Sequence, residues 1–237
     1  MNLPLNTLAN TSDPVAQARY NMIEQQIRPW NVLDADVLDL LAVVRREDFV
    51  PPAYRSMAFM DIEVPLLGND AEEAVRRGQS MLQPRVEARM LQDLQLKTTD
   101  RVLEIGAGSG YMAALLAHRA ERVVSLEINP ELVEMARENL RDAGVQNAEV
   151  RLCDGARDAI PDGPFDVIVL SGSVAEVPSA LLALLKDGGR LGAIVGNDPV
   201  MRFTLTRRTG DRFETTTPWD TIAPRLVHFP EPSGFTF

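Results

Sequence analysis

Val102-Leu103-Glu104-Ile105-Gly106-Ala107-Gly108-Ser109-Gly110 reads as an apolar strand running directly into a glycine-rich turn, with a helix opening near Tyr111. Glycines at 106, 108 and 110 let the backbone take conformations closed to other residues and approach a ligand with no Cβ in the way. The helix start adds free N–H groups pointing at the same place. The spacing is GxGxG, not the GxGxxG of dinucleotide folds. The next strand, Val123-Val124-Ser125-Leu126-Glu127, ends on a carboxylate, which at a strand tip can accept hydrogen bonds from both hydroxyls of a ribose. Turn and acid together point to S-adenosylmethionine. The competing reading, a bare strand-turn-helix with a surface glutamate, has to treat the acid in register as coincidence.

Outward from this turn the pattern is regular: strand 101–105, helix 110–119, strand 122–127, helix 130–142, strand 148–152, strand 166–170, helix 178–185 and strand 189–196. Such alternation predicts a parallel sheet, and apolar runs like Val167-Ile168-Val169-Leu170 suit strands covered on both faces. Met201-Phe203-Leu205 and the stretch from Phe213 form a hairpin around Thr209-Gly210-Asp211, supplying an antiparallel edge. On the N-terminal side, helices are expected over 14–27 and 35–46, with Pro51-Pro52 stopping the second. An extended piece at Val64-Pro65-Leu66-Leu67-Gly68, a polar stretch from Asn69 to Gln79, and a helix from Pro84 follow, the last burying Val86, Met90, Leu91 and Leu94. The expected fold is α/β: a Rossmann-like, class I methyltransferase unit with a mostly parallel, doubly wound sheet. Residues 1–97 form a helical lobe with the substrate-facing loop, and 98–237 the nucleotide-binding domain, in one folded unit.

Composition narrows the function. The chain has 237 residues, 45% of them apolar and 24% charged, and no apolar run approaches a membrane span. The N-terminus lacks a basic region followed by an apolar run, and the lone Cys153 fits a reducing compartment, so the cytoplasm is the expected location. A formal charge of −10 argues against broad binding to nucleic acid. Arg76, Arg77, Arg85 and Arg89 could meet an anionic substrate, but Glu72, Glu73 and Glu87 among them favour a solvated mixed surface.

Further candidates lie at the carboxyl edge of the predicted sheet. Asp154-Gly155 follows the third strand, where an adenine amino group is a sensible partner and an Asp-Gly turn the alternative. Ser171-Gly172-Ser173 follows the fourth and lines the same crevice. The candidate cofactor residues are Glu104, Gly106, Ala107, Gly108, Gly110, Glu127, Ile128, Asp154, Gly155 and Ser171. Tyr111 and Met112 either cover the ligand or pack in the core. Cys153 reads as packing rather than nucleophile, with no His or Lys beside it, and His118 and His228 lack metal-site spacing, so no metal is expected.

The chain resembles the protein-L-isoaspartate O-methyltransferases. The resemblance is carried by Arg45-Arg46-Glu47-Asp48-Phe49-Val50-Pro51, Ala58-Phe59-Met60-Asp61 and Gly78-Gln79-Ser80-Met81-Leu82-Gln83-Pro84. It continues through VLEIGAGSGYMAALLA from Val102, CDGARD from Cys153, Pro164-Phe165-Asp166, Glu176-Val177-Pro178 and Gly188-Gly189-Arg190-Leu191. The resemblance implies methylation of the stray carboxylate of isoaspartyl residues in damaged proteins, with a protein or peptide as substrate. One departure stands out. The family's Gln-Thr-Ile-Ser becomes Gln79-Ser80-Met81-Leu82, so the serine expected beside the reacting groups is Leu82. In an extended segment Ser80 projects to the same side as residue 82, making Ser80 the substitute hydroxyl and Ser80 and Leu82 the candidate catalytic positions. The stretch from Thr217 to Phe237 also departs from the family's usual ending.

The chemistry tolerates that loss. A carboxylic acid with pKa about 4 is ionised at neutral pH, so methyl transfer to it needs no general base. Alignment carries the rate, with the accepting oxygen held about 3 to 3.5 Å from the methyl carbon in a dry site. Two alternatives keep the cofactor: a different acceptor, such as a small molecule, in a pocket made more apolar by Leu82; or a non-catalytic module docking through Phe229, Phe235 and Phe237. For that tail, self-docking on its own domain is the favoured reading. An oxidoreductase fits the glycine spacing least.

Overall fold

Proline and short capping side chains start the helices of the N-terminal lobe. In the computed structural model, which describes residues 4–9, 11–68 and 70–231, α1 spans Pro4–Leu8 and α2 Pro14–Met22. The Asp13 side chain accepts the Val15 N–H at the start of α2. After Met22 the winding loosens into a π turn, Ile23–Ile27, then tightens through Arg28–Trp30 and stops at Asn31 in the left-handed region. The helix expected over 14–27 is therefore continuous but changes its winding. Asp34 caps α3, Ala35–Val43, which ends before 46 because Arg46–Asp48 forms its own tight turn.

β1, Val64–Pro65, and β2, Ser80–Met81, pair antiparallel as a small ribbon. Between them lies α4, Ala71–Arg76, in the stretch expected to be merely polar; of that stretch, Asn69 lies outside the described residues. The signal was present: Asp70 followed by Glu73 is a capping pattern, and the Asp70 carboxylate accepts the Glu73 N–H. α5, Pro84–Leu94, then turns Val86, Met90, Leu91 and Leu94 into the core as expected.

The sheet is built from β3 (Arg101–Ile105), β4 (Arg122–Glu127), β5 (Ala148–Leu152), β6 (Phe165–Val174), β7 (Leu185–Asn197), β8 (Val200–Thr209) and β9 (Arg212–Thr221). Helices α6 (Tyr111–Ala117), α7 (Pro130–Asp142) and α8 (Ser179–Leu182) connect the parallel strands. The strand order is β5-β4-β3-β6-β7-β8-β9, parallel through β7, with β8 and β9 antiparallel. The hairpin around Gly210 is present, joined to β7 by a second hairpin at 198–199 that the sequence reading did not anticipate.

Alternate residues of the central strands feed two cores. Val102, Val123 and Val167 face one that also holds Leu41, Phe49, Met90 and Leu115 of the helices, while Leu103, Val124 and Ile168 face another closed by Leu181 and Phe229. β6 is longer than the 166–170 expected because it bulges. The three residues between Val169 and Ser173 oppose the single residue between Gly192 and Ile194 on β7, so Ser171 and Gly172 belong to the strand rather than to a loop. The chain leaves β3 through β4 and β5 and returns to β6 on β3's other side. That reversal opens a crevice at the carboxyl ends of the strands.

Candidate active site

In this crevice lies a cavity of about 490 Å³, within the range of small-molecule sites, about 300–1,000 Å³. Its walls include Gly106, Gly108, Glu127, Ile128, Asp154, Gly155 and Ser171, so seven of the ten expected cofactor residues meet there. The other three face away from it. Glu104 is fully buried beneath the floor, where its carboxyl group accepts from Ser125 Oγ at 2.6 Å and Ser171 Oγ at 2.7 Å. Burial pushes its pKa up to about 8 against those two hydrogen bonds. Ala107 packs in the core. Gly110 sits in the left-handed region at the head of α6, where a Cβ would stand 3.1 Å from the Ala136 carbonyl oxygen, so it serves helix packing.

The glycine turn works by absence. A Cβ on Gly106 would meet Leu226 Cδ2 at 3.0 Å and the Ser171 carbonyl oxygen at 3.4 Å. One on Gly108 would meet Leu66 Cδ1 at 3.5 Å, which places the β1/β2 ribbon directly over the turn. The Glu127 carboxylate accepts three backbone N–H groups, from Gly108 at 2.9 Å, Ile128 at 2.9 Å and Asn129 at 3.0 Å, and thereby fixes both loops relative to each other. Asp154 accepts from the Ala156 N–H at 3.0 Å and pairs with His228 Nδ1 at 2.7 Å. Burial alone pushes the Asp154 carboxyl upward, but His228 and the Ala156 N–H outweigh it and hold the group below its ordinary value.

The strap that carries His228 was invisible in the sequence. From Ala223 the chain recrosses the sheet edge: Ser173 N donates to the Pro224 carbonyl, Leu226 N donates to the Ser173 carbonyl, and Arg225 binds the Gly196 carbonyl at 2.9 Å and Asn197 Oδ1 at 2.6 Å. Arg225, Leu226, Val227 and Phe229 thus complete the cavity wall. Phe229 is buried in the second core, so this part of the tail docks on its own domain, whereas Phe235 and Phe237 lie outside the described residues.

At the other end stand Arg77, Gly78, Gln79 and Ser80. Ser80 therefore reaches the cavity. Leu82 does not. It is buried in the core of the N-terminal lobe, so the expectation that it makes the pocket more apolar is not met. Its carbonyl accepts from Arg46 Nη2 at 2.5 Å, and the buried Arg46 also pairs with Glu87 and lies over the Tyr111 ring. Burial lifts the Glu87 pKa to about 7 in spite of that arginine. The Arg46 segment thus pins the loop that faces the cavity. Tyr111 stacks edge-on against Phe49 and, with Met112, belongs to the core.

The arginine group does not act as one patch. Arg76 and Arg77 pair with Glu73, Arg85 pairs with Asp61 and lies over Trp30, and Arg89 lies over Trp219. Only Arg77 of the four lines the cavity. Cys153 lines it too, with its thiol pKa raised by burial and by Asp158 and Asp154, the opposite of an activated nucleophile. Among the described residues no cluster of His, Cys, Asp and Glu could hold a metal ion, and no helix is long and apolar enough to cross a membrane.

A doubly wound sheet with a glycine turn after its central strand, and acids at the tips of the next two, is the architecture of class I S-adenosylmethionine-dependent methyltransferases, the class to which this chain is assigned. The family model for protein-L-isoaspartate(D-aspartate) O-methyltransferase matches residues 17–222. The chain belongs to that family. It is 40% identical over 185 residues to the protein-L-isoaspartate O-methyltransferase of Methanoculleus marisnigri, covering 78% of this chain and 80% of the relative. To that of Methylorubrum extorquens it is 38% identical over 219 residues, covering 90% and 91%. In fold it matches a solved beta-aspartate methyltransferase from Plasmodium falciparum in complex with S-adenosyl-L-homocysteine. The TM-score is 0.72 at 19% identity, covering 87% of this chain and 96% of that one.

Proposed function

We propose that this protein methylates the carboxylate of isoaspartyl residues in damaged proteins, using S-adenosylmethionine. The observation that carries the proposal is the single cavity running from the glycine turn, Glu127 and Asp154 to the loop of Arg77 and Ser80 in a chain of this family. The cofactor supplies an activated methyl group. Gly106 and Gly108 would let the backbone approach it, Glu127 would accept from its ribose, and Asp154, which now pairs with His228, would accept from its adenine amino group. Ile128, Gly155 and Ser171 complete that end. Gly155 is required by packing, since a Cβ there would stand 2.7 Å from Ile105 Cγ2.

The acceptor end needs no base, because the substrate carboxylate is already ionised. Arg77 and Arg225 are the two Lys or Arg side chains of the wall; they pair with Glu73 and Glu231 and would meet that carboxylate by exchanging those partners. Leu226, Val227 and Phe229 of the strap narrow access of water, so orientation in a dry site carries the rate. The lobe of residues 1–97 contributes the acceptor-facing loop and the domain of residues 98–237 the nucleotide site, as one unit. Incubating the full chain with labelled cofactor and an isoaspartyl peptide, beside its aspartyl twin, tests the proposal. Label is expected in the isoaspartyl peptide alone, and background counts in both would remove the assignment.

A further inference from the structure

Glu63 precedes β1, one step along the ribbon from Val64, whose partner is Met81, and so stands across from Leu82 where the family places its serine. Its Oε2 accepts a hydrogen bond from Ser80 Oγ at 3.2 Å, and Ser80 is part of the cavity wall. Glu63 is half-buried, and desolvation raises its pKa while the Ser80 hydrogen bond lowers it; no cation enters that balance. The nearby Arg85 is committed to Asp61 at 2.9 Å, and Asp61 keeps its Oδ1 buried with no hydrogen-bond partner. Two acids therefore sit within three residues, and the cations that act there, Arg85 and Arg46, act on Asp61 and not on Glu63.

A half-buried carboxylate without a cation is costly in the empty protein, and the cost is recovered when a cation or an N–H group arrives. The Ser80 proton is committed to Glu63, so that hydroxyl turns a lone pair, not a donor, toward the cavity. Ser80 thus presents an acceptor to the cavity, opposite in character to Arg77 three residues before it. We infer that Glu63, which stands outside the cavity wall and acts through Ser80 and through its own charge, is a specificity-determining residue that selects isoaspartyl sites with a basic residue beside the reacting carboxylate. This rests on the isoaspartyl reading above.

The test uses the full chain, S-adenosylmethionine and isoaspartyl peptides identical except for a flanking Lys, Glu or Gln. The protein is expected to prefer the Lys-flanked peptide over the Glu-flanked one by roughly three- to tenfold in kcat/KM, the size of a partly screened ion pair. The preference should sit in KM, shrink at raised salt, vanish in Glu63→Gln and return in part in Glu63→Asp. Glu63→Gln keeps an oxygen for Ser80, and its ligand-free melting curve identifies any failure to fold. Methylation without flank preference, or a preference that survives in folded Glu63→Gln, overturns this inference alone. No methylation of any peptide overturns the isoaspartyl reading and this inference with it.

Discussion

Replacing Glu127 by alanine should weaken binding of S-adenosylhomocysteine by an amount that follows from the lone pairs of one carboxylate. A carboxylate offers about four acceptor sites. Gly108 N occupies one on Oε2, and Ile128 N and Asn129 N share Oε1. One site on Oε2 remains for a ribose hydroxyl, while a second hydroxyl has to compete with a backbone N–H. A single hydrogen bond to a charged acceptor is worth about 1.5–3 kcal/mol. The dissociation constant should therefore rise roughly ten- to hundredfold. The same substitution frees three backbone N–H groups, so the ligand-free protein should also lose about 1–3 kcal/mol. Titration calorimetry below the lowered melting temperature, with a separate melt of the free variant, separates the two effects. A dissociation constant within about threefold of the parent, well under the tenfold that 1.4 kcal/mol confers, would refute the ribose role and leave Glu127 as a loop clasp.

Three further outcomes are expected. Glu104→Gln should grow more stable relative to the parent as pH rises. A carboxyl raised from 4.5 to about 8 in the folded state contributes fully below 4.5 and loses that contribution as pH climbs through 8. Denaturant titrations across that window should show a gap widening to a few kcal/mol, on the order that linkage permits, and a constant gap would argue against the shift. Gly110→Ala and Gly144→Ala both force a left-handed alanine, at φ 82° and 72°, costing about 1–2 kcal/mol. Gly144 has open space around it, whereas Gly110 meets the α7 backbone and should cost about 1–3 kcal/mol more in urea unfolding; equal costs would remove the packing argument. Leu82→Ser should lose about 2–5 kcal/mol of stability, as a truncated core leucine does, and leave isoaspartyl turnover unimproved. Faster methyl incorporation would place residue 82 at the acceptor after all.

Much of the site could be read before folding because parallel strands deliver their ends to one edge. Gly106, Gly108, Glu127, Ile128, Asp154, Gly155 and Ser171 are scattered over 66 residues yet reach one cavity, since six of them follow or end a strand of the same sheet and Ser171 sits in the bulge of β6. α7 was legible for a local reason: Asn129 accepts the Glu131 and Leu132 N–H groups just before Pro130. What a motif could not tell is which way each of its residues turns. Glu104 and Gly110 share the glycine signature, but the strand pleat sends one under the floor and the close approach of α7 claims the other.

The sequence by itself determined the succession of strands and helices from residue 101 onward, the nucleotide-type turn, the two acids at strand tips and the family. These depend on spacing and on capping over a few residues. Tertiary structure alone decided that Leu82 is core while Ser80 meets the cavity, that a bulge in β6 presents Ser171, and that a strap brings His228 to Asp154 across 74 positions. Contacts of that range are set by how two packed layers close on each other, and no local pattern of residues encodes the distance between them.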